Sequence, residues 1–581
     1  MKIKRAIVKN YRNLKSIDVT LGSIVTLIGE NNSGKSNFLR ALSIPLSSDD
    51  SGNSKRLSWH DINRDAKEAY YTFLSDNKAS ILDGSLSVEQ LLPVLPEVTI
   101  KLYFQPNENE HYNVSDILCE DEAEQWLGGI YYRFFVSKPE ELLGRVRCIL
   151  SSDSYNERTK MSLLPMEMFS FSITVPGKGN KISYETLASF RSVELPAERD
   201  SFASNSDKLG SKALTDLLQK GLTPDSQVKI EEKYTEFFDI IREEGKLDTV
   251  LNWQDYSEIP NAQEFFQEIS ILPNMPQMSS IIGSVRLGYE NDNMFTQGLG
   301  HRNLVLMSVI LNSYINKERD ISFRLMTIEE PEAHLCSSNI QLMISLISIF
   351  GKKNSYTQIV YSTHNAEFVI KIGIGNVVVF HTGSAFNLGK ELTDAEQDYL
   401  SANPNTDIFK LFYSRKAVLV EGITEELLIK SYLQTRTDLS EIKVISFHKG
   451  FTKIIDIWKK INIGTKNRLG IVRDSDDQPK AQADHEKRQD EQVIVRTTQG
   501  YTLETDIVSS NYELLRSKYG EEYGWSTMTA DEIQKDWRDN RKSDFMLRIC
   551  HDMLNGELDA FVLPPHIQQI VDFMQGGAND C

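Results

Sequence analysis

The sequence predicts an α/β protein made of two successive α/β domains, the first interrupted by helices. Three observations predict it. A phosphate-loop motif, Gly29 to Ser36, lies between an apolar strand and a helix. A buried strand, Phe323 to Ile328, ends in the acidic run Glu329-Glu330-Pro331-Glu332. A second strand–helix alternation starts at Ala417, runs to about residue 510, and carries acidic residues at its strand ends. The length of 581 residues is enough for two to four domains at roughly 150 residues each.

The opening residues Lys2 to Tyr11 and the stretch Ser16 to Leu21 alternate as half-exposed strands, and Ser23 to Ile28 reads as a buried one. A helix from Lys35 to about Leu42 is stopped by Pro45, and a polar loop follows over residues 46–56. Val98 to Phe104, Tyr131 to Phe135 and Arg147 to Leu150 read as further strands. Leu209 to Lys220 and Val228 to Glu244 have helical spacing with Pro224 between them. They form a helical insertion over 203–262, either a solvated pair closing the core or a dimerisation module. The α/β pattern then resumes with a helix at Leu304 to Tyr314, a strand at Phe323 to Ile328, a helix at Asn339 to Phe350 and a strand at Gln358 to Ser362. A Gly-, Ser- and Asn-containing stretch over 382–408 marks a boundary. The expected parts are 1–202 and 263–400 for the first domain and 412–581 for the second, whose end is mostly helical.

Composition narrows the function. Lys and Arg number 64 against 82 Asp and Glu, so the formal charge is −18. That excludes a wholesale basic coat; DNA must meet local basic patches. Lys2, Lys4, Arg5, Lys9 and Arg12 are candidates for one, or plain strand-face charges. No apolar run approaches the ~20 residues needed to span a bilayer. The basic start Met1-Lys2-Ile3-Lys4-Arg5 leads into no signal-peptide core. Cys119, Cys148, Cys336, Cys550 and Cys581 are scattered, without a CxxC pair, which argues against a disulfide framework or zinc ribbon. A soluble, reduced, cytoplasmic protein is expected.

Gly29-Glu30-Asn31-Asn32-Ser33-Gly34-Lys35-Ser36 matches GxxxxGK[ST] in its required strand–loop–helix context. Its backbone N–H groups, with Gly29, Asn32, Gly34 and Asn37 around them, are expected to cradle phosphates. Lys35 reaches the β/γ-phosphates of ATP, and Ser36 holds Mg²⁺. Glu329 is expected in the Mg²⁺ shell, and Glu330 as the group that orients or deprotonates water. A Glu-rich helix start is the plain alternative.

In the second domain, Glu421 ends the strand that starts at Lys416, and Thr424-Glu425-Glu426 open the next helix. Leu469 to Val472 ends in Arg473-Asp474-Ser475-Asp476-Asp477. Parallel strands gather such endings on one sheet edge. Leu503-Glu504-Thr505-Asp506 adds a second acidic pair. Carboxylates so gathered repel unless a cation neutralises them, and oxygen donors select Mg²⁺ or Mn²⁺. Lys542, in the basic run Arg538 to Lys542, is a candidate to neutralise a transition-state phosphate or is simply solvated.

Taken together, the motifs resemble an ABC-type ATPase of the SMC and recombination-repair class followed by a Toprim domain. Lys9-Asn10-Tyr11-Arg12-Asn13-Leu14 resembles the opening strand of those ATPases, Glu329 to Leu335 their Walker B and D-loop, and Ser362-Thr363-His364-Asn365 their switch segment, so that His364 is implied to contact the γ-phosphate. Gln105 is a candidate Q-loop residue. Gln297-Gly298-Leu299-Gly300-His301-Arg302 sits where the signature loop falls, without the usual Ser-Gly-Gly. That loop caps ATP on the opposite protomer, which implies a dimer.

This order is that of the OLD (overcoming lysogenisation defect) nucleases. Val193 to Asp200 also resembles a family segment, and Leu503-Glu504-x-Asp506 with Lys542 looks most like the branch containing the Gabija nuclease subunit. The resemblance implies an ATP-regulated endonuclease of anti-phage defence acting on double-stranded DNA. Its two ions are expected on Glu421, Asp474, Asp476, Glu504 and Asp506, with Glu425 as a further ligand. It also implies a homodimer or higher oligomer built through the inserted helices; in the Gabija branch a UvrD-like helicase is the partner, while other members act alone or with a retron reverse transcriptase and its DNA. The alternatives are a DNA-clamping repair ATPase with a regulatory Toprim, or a Toprim topoisomerase.

Overall fold

The computed structural model describes residues 1–48, 55–121, 124–152, 157–197, 209–245, 258, 260, 277–290, 292–315, 320–354, 356–403, 405, 407–447, 450–475 and 478–576. In chain order the first elements are β1 (Lys2–Tyr11), β2 (Leu14–Thr20), β3 (Ile24–Gly29), α1 (Lys35–Ser43), β4 (Val98–Gln105), β5 (Trp126–Val136), α2 (Pro139–Leu150) and β6 (Phe190–Leu195). The middle supplies α3 (Leu209–Gly221), α4 (Pro224–Glu244), α5 (Leu299–Ser313), β7 (Phe323–Glu329), α6 (Ser337–Lys353), β8 (Thr357–Ser362) and β9 (Val377–His381). The last part supplies β10 (Lys416–Val420), α7 (Ile423–Gln434), β11 (Lys443–Ser446), α8 (Phe451–Ile461), β12 (Arg468–Arg473), β13 (Val493–Thr497), α9 (Leu503–Tyr523), α10 (Lys542–Leu554) and α11 (Pro565–Gln575).

These elements divide into two compact units. The first comprises Met1–Leu195, Asp320–Pro331 and Ser355–Cys581. It contains three sheets among its described residues. An antiparallel sheet has β2, β1, β4 and β5 side by side. A second sheet runs β9-β3-β8-β7-β6 with every one of these pairs parallel. The third is the parallel order β11-β10-β12-β13. The parallel strands are buried along nearly their whole length because helices or another sheet cover both faces. β1, by contrast, leaves Lys2, Lys4, Arg5, Lys9 and Asn10 partly or fully exposed among its buried residues, so part of it is solvated.

One expectation changes here. Arg147 to Leu150 is the last turn of helix α2, not a strand. Its buried residues Leu142, Leu143, Val146 and Leu150 follow helical spacing, Pro139 occupies the first turn, and Glu140 and Glu141 follow it. Four apolar-looking residues were too short a window to show that period. The stretch 382–408, where the sequence places a boundary, contributes to the core. Leu388, Leu392, Leu400 and Ile408 are buried in one core with Ile28, Val377 and Val379 of the second sheet and Ala417, Leu419 and Ile471 of the third. Each such side chain contributes about 1.5–3 kcal/mol, so these two sheets form one packed body.

The second unit comprises Pro196–Arg319 and Glu332–Asn354. It holds α3, α4, α5 and α6, and α3 packs on α5. α4 begins at Pro224 rather than Val228: Thr223 caps it by accepting the Ser226 N–H, and a proline in the first turn gives up only an N–H with no helical partner. Among the described residues no helix is long and apolar enough to cross a membrane.

Candidate nucleotide and carboxylate sites

The phosphate loop leaves β3 at Gly29 and enters α1 at Lys35. Gly34 has φ 111°, and a Cβ there would stand 2.6 Å from Leu14 Cδ2, so glycine alone fits. The β1–β2 turn locks the loop from the side. Asn13 Nδ2 donates to Asn32 O at 2.9 Å, and Asn37 Nδ2 donates to Asn13 Oδ1 at 2.8 Å. Arg12 donates to Asn37 Oδ1 at 2.9 Å and to Asp61 at 2.8 Å. Asn37 therefore supports the loop from α1 through Arg12 and Asn13. The reading from sequence missed Asp61, which only the fold brings there. Lys35 Nζ lies back on the loop, donating to Gly29 O and Glu30 O at 2.8 Å each. Ser36 is exposed in the first turn of α1.

β7 and β8 bring the other nucleotide-site candidates to the same sheet edge. Glu329 pairs in register with Ser362, and Ser362 in turn with Leu27 of β3. Glu330 follows at φ 41°, its N–H donating to Ser362 O at 3.0 Å. His364 Nε2 stands 3.9 Å from Glu330 Oε1, beyond direct hydrogen-bond range. Burial lowers the His364 pKa, and the Lys35 charge lowers it further, so the ring is neutral near pH 7. Lys35, Glu330 and His364 thus surround one place. Gln105 does not join them. β1 and β4 are antiparallel with Lys2 opposite Gln105 and Lys9 opposite Thr99, so Gln105 lies at the far end of β1 from the Arg12 turn. At ~3.3 Å per residue that is on the order of 30 Å away.

Three of the five basic candidates at the chain's start have side-chain partners. Arg5 pairs with Asp18 at 2.6 Å, Arg12 pairs with Asp61, and Lys4 donates to Gln125 at 2.6 Å.

In the second unit, α5 starts at Leu299 inside the signature-like segment. Gly300 packs so closely that a Cβ would meet His334 O at 2.4 Å, and Asn303 Nδ2 donates to Ala333 O at 3.0 Å. The segment is thus seated on the residues that follow Glu332.

The C-terminal sheet gathers its acidic strand ends as parallel topology requires. Glu421 follows β10, Asp474 follows the adjacent β12, and Glu421 Oε2 accepts the Asp474 N–H at 3.2 Å. Glu425, in the first turn of α7, is buried, and burial pushes its carboxyl pKa up, with the Glu504 charge adding to the rise. Glu504 is likewise buried, in the first turn of α9. Asp506 behaves differently. Its oxygens accept Gln499 N at 2.8 Å and Gly500 N at 2.7 Å, and His566 Nδ1 lies 3.0 Å from Oδ2. Burial raises its pKa, but His566 and the two N–H groups outweigh that and hold it below the usual range. Asp506 thereby pins the loop after β13, and His566, far along the chain, gave no sequence signal. Asp476 lies outside the described residues, as do Glu198, Arg199 and Asp200 of the Val193 to Asp200 segment. Lys542 opens α10 beside a turn in which Arg541 is held by Asp536 at 2.9 Å.

The AAA ATPase domain family model matches residues 1–220 and 197–369. The chain belongs to that ATPase family. A second model, the TOPRIM domain of overcoming lysogenization defect-like proteins, matches residues 412–476 of this ATPase-family chain, from just before β10 to Asp476. Endonuclease GajA of Bacillus cereus (strain HuB5-5) is 28% identical over 188 residues, 27% of each chain. The match spans about a quarter of that relative's length. Among solved structures, the SMC head domain from Thermotoga maritima is 12% identical, covering 66% of this chain and 97% of that one at a TM-score of 0.26. The Smc head domain with an extended coiled coil bound to the C-terminal domain of ScpA, from Pyrococcus furiosus, is 13% identical, covering 68% and 99% at a TM-score of 0.31. Overlaps of that quality leave the fold to rest on the strand orders and the two family models.

The TOPRIM donors are all carboxylate oxygens, the type that Mg²⁺ and Mn²⁺ prefer. They come as two pairs, Glu421 with the Asp474 loop and Glu425 with Glu504. Among the described residues no group of three or more His, Cys, Asp or Glu is placed to hold one ion. Glu425 and Glu504 are two buried carboxylates in one another's field, which is costly without a cation, so that pair fits a divalent ion; Glu421 and Asp474 beside it are half-buried.

Proposed function

We propose that this ATPase–TOPRIM chain is an ATP-binding, divalent-metal-dependent DNA endonuclease of the anti-phage type. The observation that carries the reading is the hydrogen bond from the Asp474 N–H to Glu421. It joins acidic residues at the ends of neighbouring parallel strands, inside the segment matched by the TOPRIM model. Glu421, Asp474 and Asp476, with Glu425 and Glu504 behind them, would hold Mg²⁺ or Mn²⁺. When bound, the ions would activate water and stabilise the oxygens of a phosphodiester. The chain's own residues prepare that place: β10 and β12 fix the two carboxylates, and Asp506 with His566 fixes the loop after β13. Lys542 is proposed to face the scissile phosphate.

In the ATPase domain, Lys35 would exchange the Gly29 and Glu30 carbonyls for ATP phosphates. Ser36 and Glu329 would hold the accompanying Mg²⁺, and Glu330 and neutral His364 would flank the attacking water. Double-stranded DNA is the proposed substrate, and a second copy of the chain the proposed partner through α4. A helicase or a retron reverse transcriptase as partner rests on the resemblance alone. The test is plasmid cleavage in Mg²⁺ or Mn²⁺, with and without ATP, beside Glu421→Ala. Nicking or linearisation lost in the variant supports the nuclease; equal cleavage by both proteins removes it.

A further inference from the structure

We propose that Arg415 is a positioning residue through which the nucleotide state of the phosphate loop reaches the two strands that carry Glu421 and Asp474. The proposal rests on the nuclease reading above.

Glu30 is a variable position of the phosphate loop, and its carboxylate reaches across 385 residues of sequence. Glu30 Oε1 accepts the Arg415 backbone N–H at 3.2 Å, and Oε2 accepts Arg415 Nε at 3.2 Å. Arg415 immediately precedes β10. Its own carbonyl accepts the N–H of Arg468, the first residue of β12, at 2.7 Å. One residue therefore ties the loop to the starting ends of both strands. Their other ends hold Glu421 and Asp474, hydrogen-bonded to each other. Lys416 to Val420 pairs with Arg468 to Val472 without a register break.

The loop side of this link is the part that nucleotide must change. Lys35 Nζ donates to Glu30 O and Gly29 O. A phosphate bound in the loop draws that ammonium to itself, which releases the Glu30 peptide whose side chain holds Arg415. The surroundings limit where the motion can go. Phe380 of β9 pairs with Gly29, and the next residue, His381, is buried with Nε2 3.2 Å from Ile461 O at the end of α8. Ile28, Val379, Leu419 and Ile471 share one core. The two sheets cannot part, so a shift of Glu30 acts on the Arg415 corner rather than being lost in a hinge.

The Arg415 and Glu30 side chains are 67% and 37% exposed. Exposed ion pairs of this kind add little to stability, so Arg415 variants are expected to fold. The experiment measures hydrogen exchange over residues 413–421, with and without Mg²⁺ and the non-hydrolysed analogue adenylyl-imidodiphosphate. The proteins are the full chain and its Arg415→Ala and Arg415→Glu variants. The wild type should change exchange in that segment on binding analogue. Arg415→Ala should lose most of the change and Arg415→Glu, which opposes Glu30, all of it. All three should bind the analogue within about twofold of one another, and melting temperatures should agree. An unchanged wild-type segment, or a response equal in the variants, overturns the coupling whether or not the protein cuts DNA. Plasmid cleavage then reads the consequence: the ratio of rates with and without ATP should approach one in the variants, while cleavage without nucleotide is kept. Cleavage that is insensitive to Glu421→Ala instead removes the nuclease reading and leaves the exchange result to stand by itself.

Discussion

Glu421 Oε2 accepts the backbone N–H of Asp474 at 3.2 Å, closing a gap of 53 residues between neighbouring strand ends. The same carboxylate therefore has two separable duties. It holds the turn after β12, and it presents negative charge where a cation is proposed.

Glu421→Gln separates them. The amide oxygen can still accept the Asp474 N–H, but the charge is gone. Mn²⁺ affinity, measured by calorimetry, should fall tenfold or more while the melting temperature stays within about a degree. Glu421→Ala loses the same affinity and also the hydrogen bond, worth about 1 kcal/mol, so it should melt lower. Equal Mn²⁺ affinity in the wild type and the Gln variant would remove Glu421 from the ion's donors.

What the sequence could and could not announce follows from distance along the chain. The phosphate loop was legible because all its parts are contiguous, and Glu421 and Asp474 because parallel strands deliver their ends to one edge. Gln105 was misplaced because a motif position says nothing about strand direction, and antiparallel pairing puts it beside Lys2. Asp506 was legible as an acid beside Glu504, but its contacts to two loop N–H groups and to His566, a residue 60 positions on, were not. Arg415 carried no motif at all; its meaning comes from Glu30, which only the packed sheets bring near.

Lys35 now bonds two carbonyls that ATP would free. Lys35→Ala removes both bonds and the phosphate's cation. ATP affinity, followed with a fluorescent analogue, should fall at least tenfold. Retained affinity would mean that the backbone cradle alone suffices.

Asp552 gives a pH test away from both sites. It is 1% exposed and accepts Tyr519 Oη at 2.8 Å, with Arg548 Nε at 3.3 Å, Lys518 Nζ at 3.4 Å and His551 Nδ1 at 3.2 Å. Burial pushes its pKa up, but the Tyr519 and His551 bonds and the Lys518 and Arg548 charges win and hold it below the usual carboxylate range. A depressed folded-state pKa stabilises the fold above the unfolded value, and that stability is lost as pH falls through the folded one. Asp552→Asn should therefore melt lower than wild type at pH 7. The gap should narrow progressively as pH is brought below about 4. A gap constant with pH would show that charge is not what Asp552 contributes.

The signature-like segment offers a paired test. A Cβ on Gly298 would meet nothing within 4 Å, whereas one on Gly300 would strike His334 O at 2.4 Å. Gly298→Ala should be neutral. Gly300→Ala must push α5 off the His334 backbone, at about 1–3 kcal/mol, visible as a lower melting temperature and slower ATP turnover. Identical behaviour of the two variants would show that the close approach is not needed.

Helix α4 carries a set of exposed apolar side chains. Val228 is 63% exposed, Phe237 and Ile240 are 58% and Ile241 is 43%. Phe237, Ile240 and Ile241 stand at i, i+3 and i+4, one face of the helix. A second copy laying the same face against it would bury each of them, at about 1.5–3 kcal/mol per side chain. Phe237→Asp with Ile240→Asp places two charges in that contact and should convert the proposed dimer to monomer in light scattering. The melting curve should stay near wild type, because neither side chain supports the fold from inside. A dimer mass that survives the double substitution would place the contact between copies on another surface.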